Sequence, residues 1–231
     1  MNLRKQEDVL LAQWATNRLH FARDGIVDLT SFLETRPRVV FLLKEVNYTS
    51  SDQFDLRDFL QKGGRGMTWN TVVRWTRIIH TLHPASSFTD PNPQRRSVTG
   101  AERRALLRTL AIVNVKKQPG NHRASVKIVR EAALKDRHFI DQQLALYGWQ
   151  VLVAGGLDAT TVIDPIPGLS GGHWHSSGAA FPYKLLSGNR LVIRTPHPAA
   201  RLAITDMNAA MHRTLTQAVA AMKSNKTTSQ S

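Results

Sequence analysis

Four apolar runs stand out along a chain that is otherwise patterned: 38–43 (RVVFLL), 110–114 (LAIVN), 150–154 (QVLVA) and 184–194 (KLLSGNRLVIR). Each is short, nearly continuous and rich in β-branched residues, which predicts strands buried on both faces. The last carries SGN at 187–189, a turn that can split off a hairpin partner. Between the runs the apolar positions recur at helical spacing. Val9, Leu10, Trp14, Leu19 and Phe21 mark a helix over 6–23, and 54–60 reads as a short one. Trp69, Val72, Val73, Thr76 and Ile79 mark the next, with Thr68 as its cap. Further helices are predicted over 100–108, 125–147 with Gly148 as the stop, 157–162 and 207–222. Strands alternating with helices imply a three-layer α/β/α domain around a central, mainly parallel four-stranded sheet. We expect one domain over 1–223 and a polar, disordered tail over 224–231.

In an open parallel sheet the carboxyl ends of the strands form the ligand-binding rim. The first run is followed by Glu45, Asn47 and Tyr48, the second ends on Asn114, and the last leads to His197. Lys116, Lys117 and Arg123 follow Asn114 as candidate anion contacts. Bland alternatives exist for each: Asn114 capping a turn, Glu45 pairing with Lys44 or an arginine, Trp69 in the core. The segment 163–182 is long and contains GLSGGHWHSSG, so a functional or mobile loop is expected there.

Composition sharpens the partner. Thirty-one Lys and Arg against 17 Asp and Glu give a formal net charge of +14 over 231 residues, which favours a polyanion, and nucleic acid first. Cysteine is absent, which excludes disulfides, thiolate metal sites and cysteine-ligated iron-sulfur clusters. No signal-peptide core and no apolar run near ~18 residues is present, so we expect a cytoplasmic, membrane-free protein. A carboxylate, an amide and an imidazole in one crevice suit N-glycosidic cleavage. The carboxylate orients water or stabilises the cationic sugar, the imidazole donates to the leaving base, and the amide reads its edge.

The stretches KEVNY (44–48), NVKKQPGNHR (114–123) and HPA (197–199) resemble, in order and spacing, the motifs of the uracil-DNA glycosylase superfamily. The closest likeness is to its iron-sulfur branch, with GEAPG, NVVKCRPPGNR and HPS. The resemblance covers roughly 38–202 and implies a monofunctional, monomeric DNA glycosylase without cofactor or metal. It implies Glu45 as the water-orienting carboxylate with Asn47 as a second polar group, Asn114 as the base-reading amide, and His197 as the leaving-group donor. Trp69 or Phe54 would stack on the extruded base, and Tyr48 would stand against the pyrimidine C5 position. Arg201 and Leu202 would enter the duplex, with Lys116, Lys117 and Arg123 on the DNA. The chain departs from GEAPG at the glycine and proline and lacks the cluster cysteines. The altered motif and the Gly/His loop favour a hypermodified cytosine, as in bacterial phage-defence glycosylases, with His173, Trp174 and His175 contacting its sugar. Uracil removal and a catalytically silent DNA-binding module are the rival readings.

Overall fold

The computed structural model describes residues 2–47, 54–120 and 125–228, with Asn47 and 225–228 described in the backbone only. Tyr48 and Arg123 lie outside the described residues. The four apolar runs become the parallel centre of one sheet: β2 (Val39–Asn47), β3 (Leu110–Gly120), β4 (Val151–Gly155) and β6 (Arg190–Thr195). Two antiparallel edge strands, β1 (Gly25–Ile26) beside β3 and β5 (Tyr183–Leu186) beside β6, raise the number from the four expected to six. The order is β1-β3-β2-β4-β6-β5. An edge of two residues is too short to leave a periodic trace in sequence.

The two sheet faces carry separate cores, as strict alternation requires. Val39, Phe41 and Leu43 of β2 pack on one side with α4 (Met67–Leu82) and α7 (Ile204–Thr228), supported by α3 (Leu56–Gln61) and α5 (Gly100–Arg108). Val40 and Leu42 pack on the other with α1 (Leu3–Ala15) and α6 (Val126–Tyr147). Phe41 and Leu42 are fully buried, and each such side chain contributes about 1.5–3 kcal/mol by leaving water. A short α2 (Leu29–Glu34), opened by the Asp28 side chain accepting from the Ser31 amide, precedes β2. Helix ends follow local chemistry elsewhere. Thr99 accepts from the Glu102 amide to start α5, Ser125 from the Ile128 amide to start α6, and Gly148, left-handed at φ 53°, ends it.

Several boundaries differ from the sequence pattern. The first helix stops at Ala15, not 23, because Asn17 and His20 take left-handed φ angles and turn the chain toward β1. Thr68 does not cap α4; Gly66 holds that position without a side-chain bond, and Thr68 lies in the first turn. A π-helical turn at Ala159–Ile163 and a 3-10 turn at Pro167–Leu169 replace the helix expected over 157–162. The tail expected to be disordered from 224 keeps helical backbone to Thr228. Among the described residues no helix is long and apolar enough to cross a membrane.

Candidate active site

β4 pairs with β2 only from Val39 to Leu42, whereas β2 and β3 run on together to the Glu45–Lys116 and Asn47–Gly120 pairs. The sheet therefore has a step. Asn114 lies inside β3 opposite Leu43, rather than at the strand's end as its sequence suggests. A cavity of about 390 Å³ opens at the step, lined by Glu45, Asn114 and His197 together. This is within the ~300–1,000 Å³ typical of small-molecule sites. Its other walls are the rings of Phe54, Phe59 and Trp69, with Arg65 and Thr68 from the glycine-rich turn and the start of α4.

Glu45 is paired with Lys116, whose Nζ lies 2.7 Å from Glu45 Oε2 and also donates to the carbonyls of Gln118 and Pro119, both at 3.1 Å. Three bonds use all three ammonium protons, so Lys116 is not a free phosphate contact, which corrects its expected role. Gly120 closes the arrangement: a Cβ there would stand 1.8 Å from Glu45 Oε1. Gly120→Ala is accordingly expected to push the carboxylate, the movable end of a long side chain, away from Lys116 with little loss of stability. The Glu45 side-chain carboxyl NMR signal would report the displacement, and an unchanged signal would place the Glu45 side chain elsewhere.

His197 sits two residues past β6 in a tight turn whose Nδ1 accepts the Ala199 amide at 3.1 Å. Accepting through Nδ1 assigns the neutral ring's proton to Nε2, which makes that nitrogen a donor. Burial, and then the Lys44 charge, lower its pKa from 6.5, so the ring is neutral at pH 7. Two glycines make room for this turn. A Cβ on Gly155 would meet Pro198 Cδ at 2.9 Å, and one on Gly156 (φ +71°) would meet His197 Cβ at 2.9 Å.

Asn114 is 2% exposed, and its amide Nδ2 donates to Asp24 Oδ2 at 3.1 Å, beside its own backbone N–H at 2.7 Å. Asp24 Oδ1 receives Lys117 Nζ and, at 3.1 Å, Gln143 Nε2. Gln143 Nε2 lies 2.8 Å from the Tyr147 hydroxyl, which donates to Glu7 at 2.7 Å. A buried polar chain thus runs from α1 beneath the sheet to Asn114.

No family model matches this chain, and no curated protein matches it.

Lys117 contradicts its expected place on DNA. Alternation turns it to the face opposite Asn114 and Lys116, where it is fully buried against Asp24 with the Trp14 ring 4.4 Å away. The 173–175 loop also departs from expectation, since none of His173, Trp174 and His175 lines the cavity. Trp174 Nε1 donates to Asp164, with Lys184 Nζ 5.0 Å from its ring centre, and His175 stacks on Tyr183 at the β5 edge. Among the described residues no three or more His, Asp or Glu groups are placed to hold a metal. Trp69 is 8% exposed and belongs to the core while also lining the cavity, whereas Phe54 is half-buried at the wall. Arg201 and Leu202 are exposed just past the His197 turn, Leu202 at 55%. The pattern along the chain missed Asp24, Glu7 and Arg65. Arg65 alone carried a signal, in the glycine-rich 62–66 stretch, while Gly120 lies within the 114–123 motif without a role having been read for it.

Proposed function

We propose that the protein is a DNA glycosylase that hydrolyses the N-glycosidic bond of an extruded pyrimidine, leaving an abasic site. The observation that supports it most is the shared cavity: a paired carboxylate, a pinned amide and a neutral imidazole donor, distant in sequence, face one space of nucleotide size. The scissile bond breaks toward a cationic sugar and an anionic base. Glu45, paired with Lys116, orients water or offsets the sugar charge. His197 Nε2–H donates to the oxygen on which the leaving base gathers charge. Asn114 reads the hydrogen-bonding edge and Phe54 or Trp69 contacts the ring face. Extrusion costs a few kcal/mol, which Leu202 as a wedge, with Arg201 and Arg65 on phosphates, helps to offset.

We favour a C5-modified cytosine as the target, because the altered first motif and the cavity volume leave room beyond a bare pyrimidine ring; uracil is the alternative that the Asn114 amide permits. The test is incubation with duplexes carrying uracil, hydroxymethylcytosine or glucosylated hydroxymethylcytosine, followed by detection of alkali-labile sites. Cleavage at the modified cytosines ahead of uracil is the expected result. If every duplex stays intact while DNA is bound, the protein is a binding module and the catalytic reading is lost.

A further inference from the structure

The amide of Asn114 could present either of two faces to a base, because its oxygen and nitrogen are interchangeable in shape but opposite in hydrogen bonding. A pyrimidine edge with a ring N–H beside a carbonyl needs one orientation, and an edge with an unprotonated ring nitrogen beside an amino group needs the other. Something must choose. Asp24 supplies a fixed acceptor: its Oδ2 receives the Asn114 backbone N–H at 2.7 Å, a donor whose identity is unambiguous, and its Oδ1 receives the buried ammonium of Lys117. Asp24 and Lys117 are both without exposure. Lys117 is further held by Gln143 Oε1 at 3.1 Å and by the Trp14 ring, partners suited to a cation. Oδ2, already accepting the Asn114 backbone N–H, faces the side-chain amide as an acceptor. The only atom Asn114 can turn toward it at 3.1 Å is Nδ2.

We propose that Asp24, acting through Asn114, determines which pyrimidine edge the cavity accepts. It is a positioning residue that touches no substrate, and the proposal rests on reading Asn114 as the base-recognising amide. The pinned amide keeps one further N–H and its carbonyl oxygen in a fixed relation, so a base with the complementary edge is matched and the other leaves two buried polar groups opposed. In Asp24→Ala no acceptor remains opposite the Asn114 side chain, and its amide is free to invert, whereas an asparagine there would keep its oxygen on the Asn114 backbone N–H and pin the amide as before.

The measurement is the ratio of kcat/KM for uracil-containing and hydroxymethylcytosine-containing duplexes, in the wild type and in Asp24→Ala. A second variant, Asp24→Ala with Lys117→Met, removes both charged groups and avoids a lone buried ammonium. The ratio is expected to move toward unity by about tenfold or more, because discrimination of this kind comes from unpaired polar groups. Folded variants whose rates fall equally on both substrates, with the ratio unchanged, would overturn the proposal, since that is what a purely structural role does. Equilibrium dialysis of free uracil and free cytosine gives the same comparison without catalysis. A wild type that excises no base yet binds one over the other, a preference lost in the variants, would sink the glycosylase reading and leave this one standing. A wild type that excises one base with unaltered preference in both variants does the reverse, and one that neither excises nor discriminates removes both. Should neither variant fold, proton exchange of the Asn114 side-chain amide in the wild type decides: slow exchange of one proton is expected, and fast exchange of both would defeat the proposal.

Discussion

Replacing His197 by alanine is expected to lower the rate of base release by about 10²–10³-fold, the usual cost of deleting one oriented donor to a developing anion. The loss should lie in kcat and not in DNA affinity, because the group acts on charge that exists only as the bond breaks. Folding should be retained, since the ring lies in a turn beyond β6 and bonds within that turn, to the Ala199 amide. The same geometry fixes a pH signature. The pKa is lowered from 6.5 by burial and by Lys44, and the Nδ1 acceptor role places the proton on Nε2. An imidazolium acid would lose about tenfold in rate for each pH unit above its pKa, whereas a neutral donor loses nothing. Single-turnover release measured from pH 7 to 9 should therefore show no decline attributable to this group. A wild-type rate in His197→Ala would remove the imidazole from the mechanism, and a tenfold-per-unit alkaline fall absent from the variant would make it a cationic acid.

The fold was legible where the physics is local and the site only in part. Runs such as 39–43 and 110–113 have no surface-facing position, so they read as covered strands whatever surrounds them. Their true ends did not, because ladder hydrogen bonds carry β2 on to Asn47 and β3 to Gly120 through side chains that look like a turn. Asn114 was found as a polar group ending an apolar run, although the strand continues past it. Lys117 was misplaced because two adjacent lysines read as one charged patch. A period of two from Asn114 already separates Lys116 from Lys117, and it sets the latter among Val113 and Val115 on the helix-covered face. What no local rule supplies is Asp24, 90 positions before Asn114, just ahead of a two-residue strand. Trp174 was misread for the same reason: its loop composition suggests exposure, while Asp164 and Lys184 bind it to the sheet edge.

Acidification from pH 7 to about pH 4.5 is expected to destabilise the fold, with two histidines near the amino-terminal end of the sheet as the largest contributors. His80, in the last turn of α4, is 2% exposed, and His83, its cap, is 7% exposed beside a second cavity bordered by Gln150 and Asn189. Burial lowers both pKa values from 6.5 to about 4; for His80 a bond to the Pro37 backbone opposes the shift and the neighbouring His83 adds to it. Neither Nε2 has a hydrogen-bond partner. Between pH 6.5 and 4 the unfolded chain binds protons at these sites and the folded one does not. Stability is therefore complete above pH 6.5, falls as pH drops through that window, and levels off below about 4. The slope is about 1.4 kcal/mol per pH unit for each ring, so His80 accounts for ~3 kcal/mol and His83, facing an open cavity, for less. Asp28, Asp55, Asp90 and Asp158 have pKa values below 3.8 and contribute their losses only at lower pH. Urea unfolding at pH 7, 6, 5 and 4.5 measures the slope. In His80→Leu it should shrink by about 1.4 kcal/mol per pH unit, because the remaining decline belongs to His83 and to His197, whose pKa is also lowered from 6.5. An identical slope in wild type and variant would mean that His80 is hydrated in the native state, and that the packing around the last turn of α4 is looser than its burial implies.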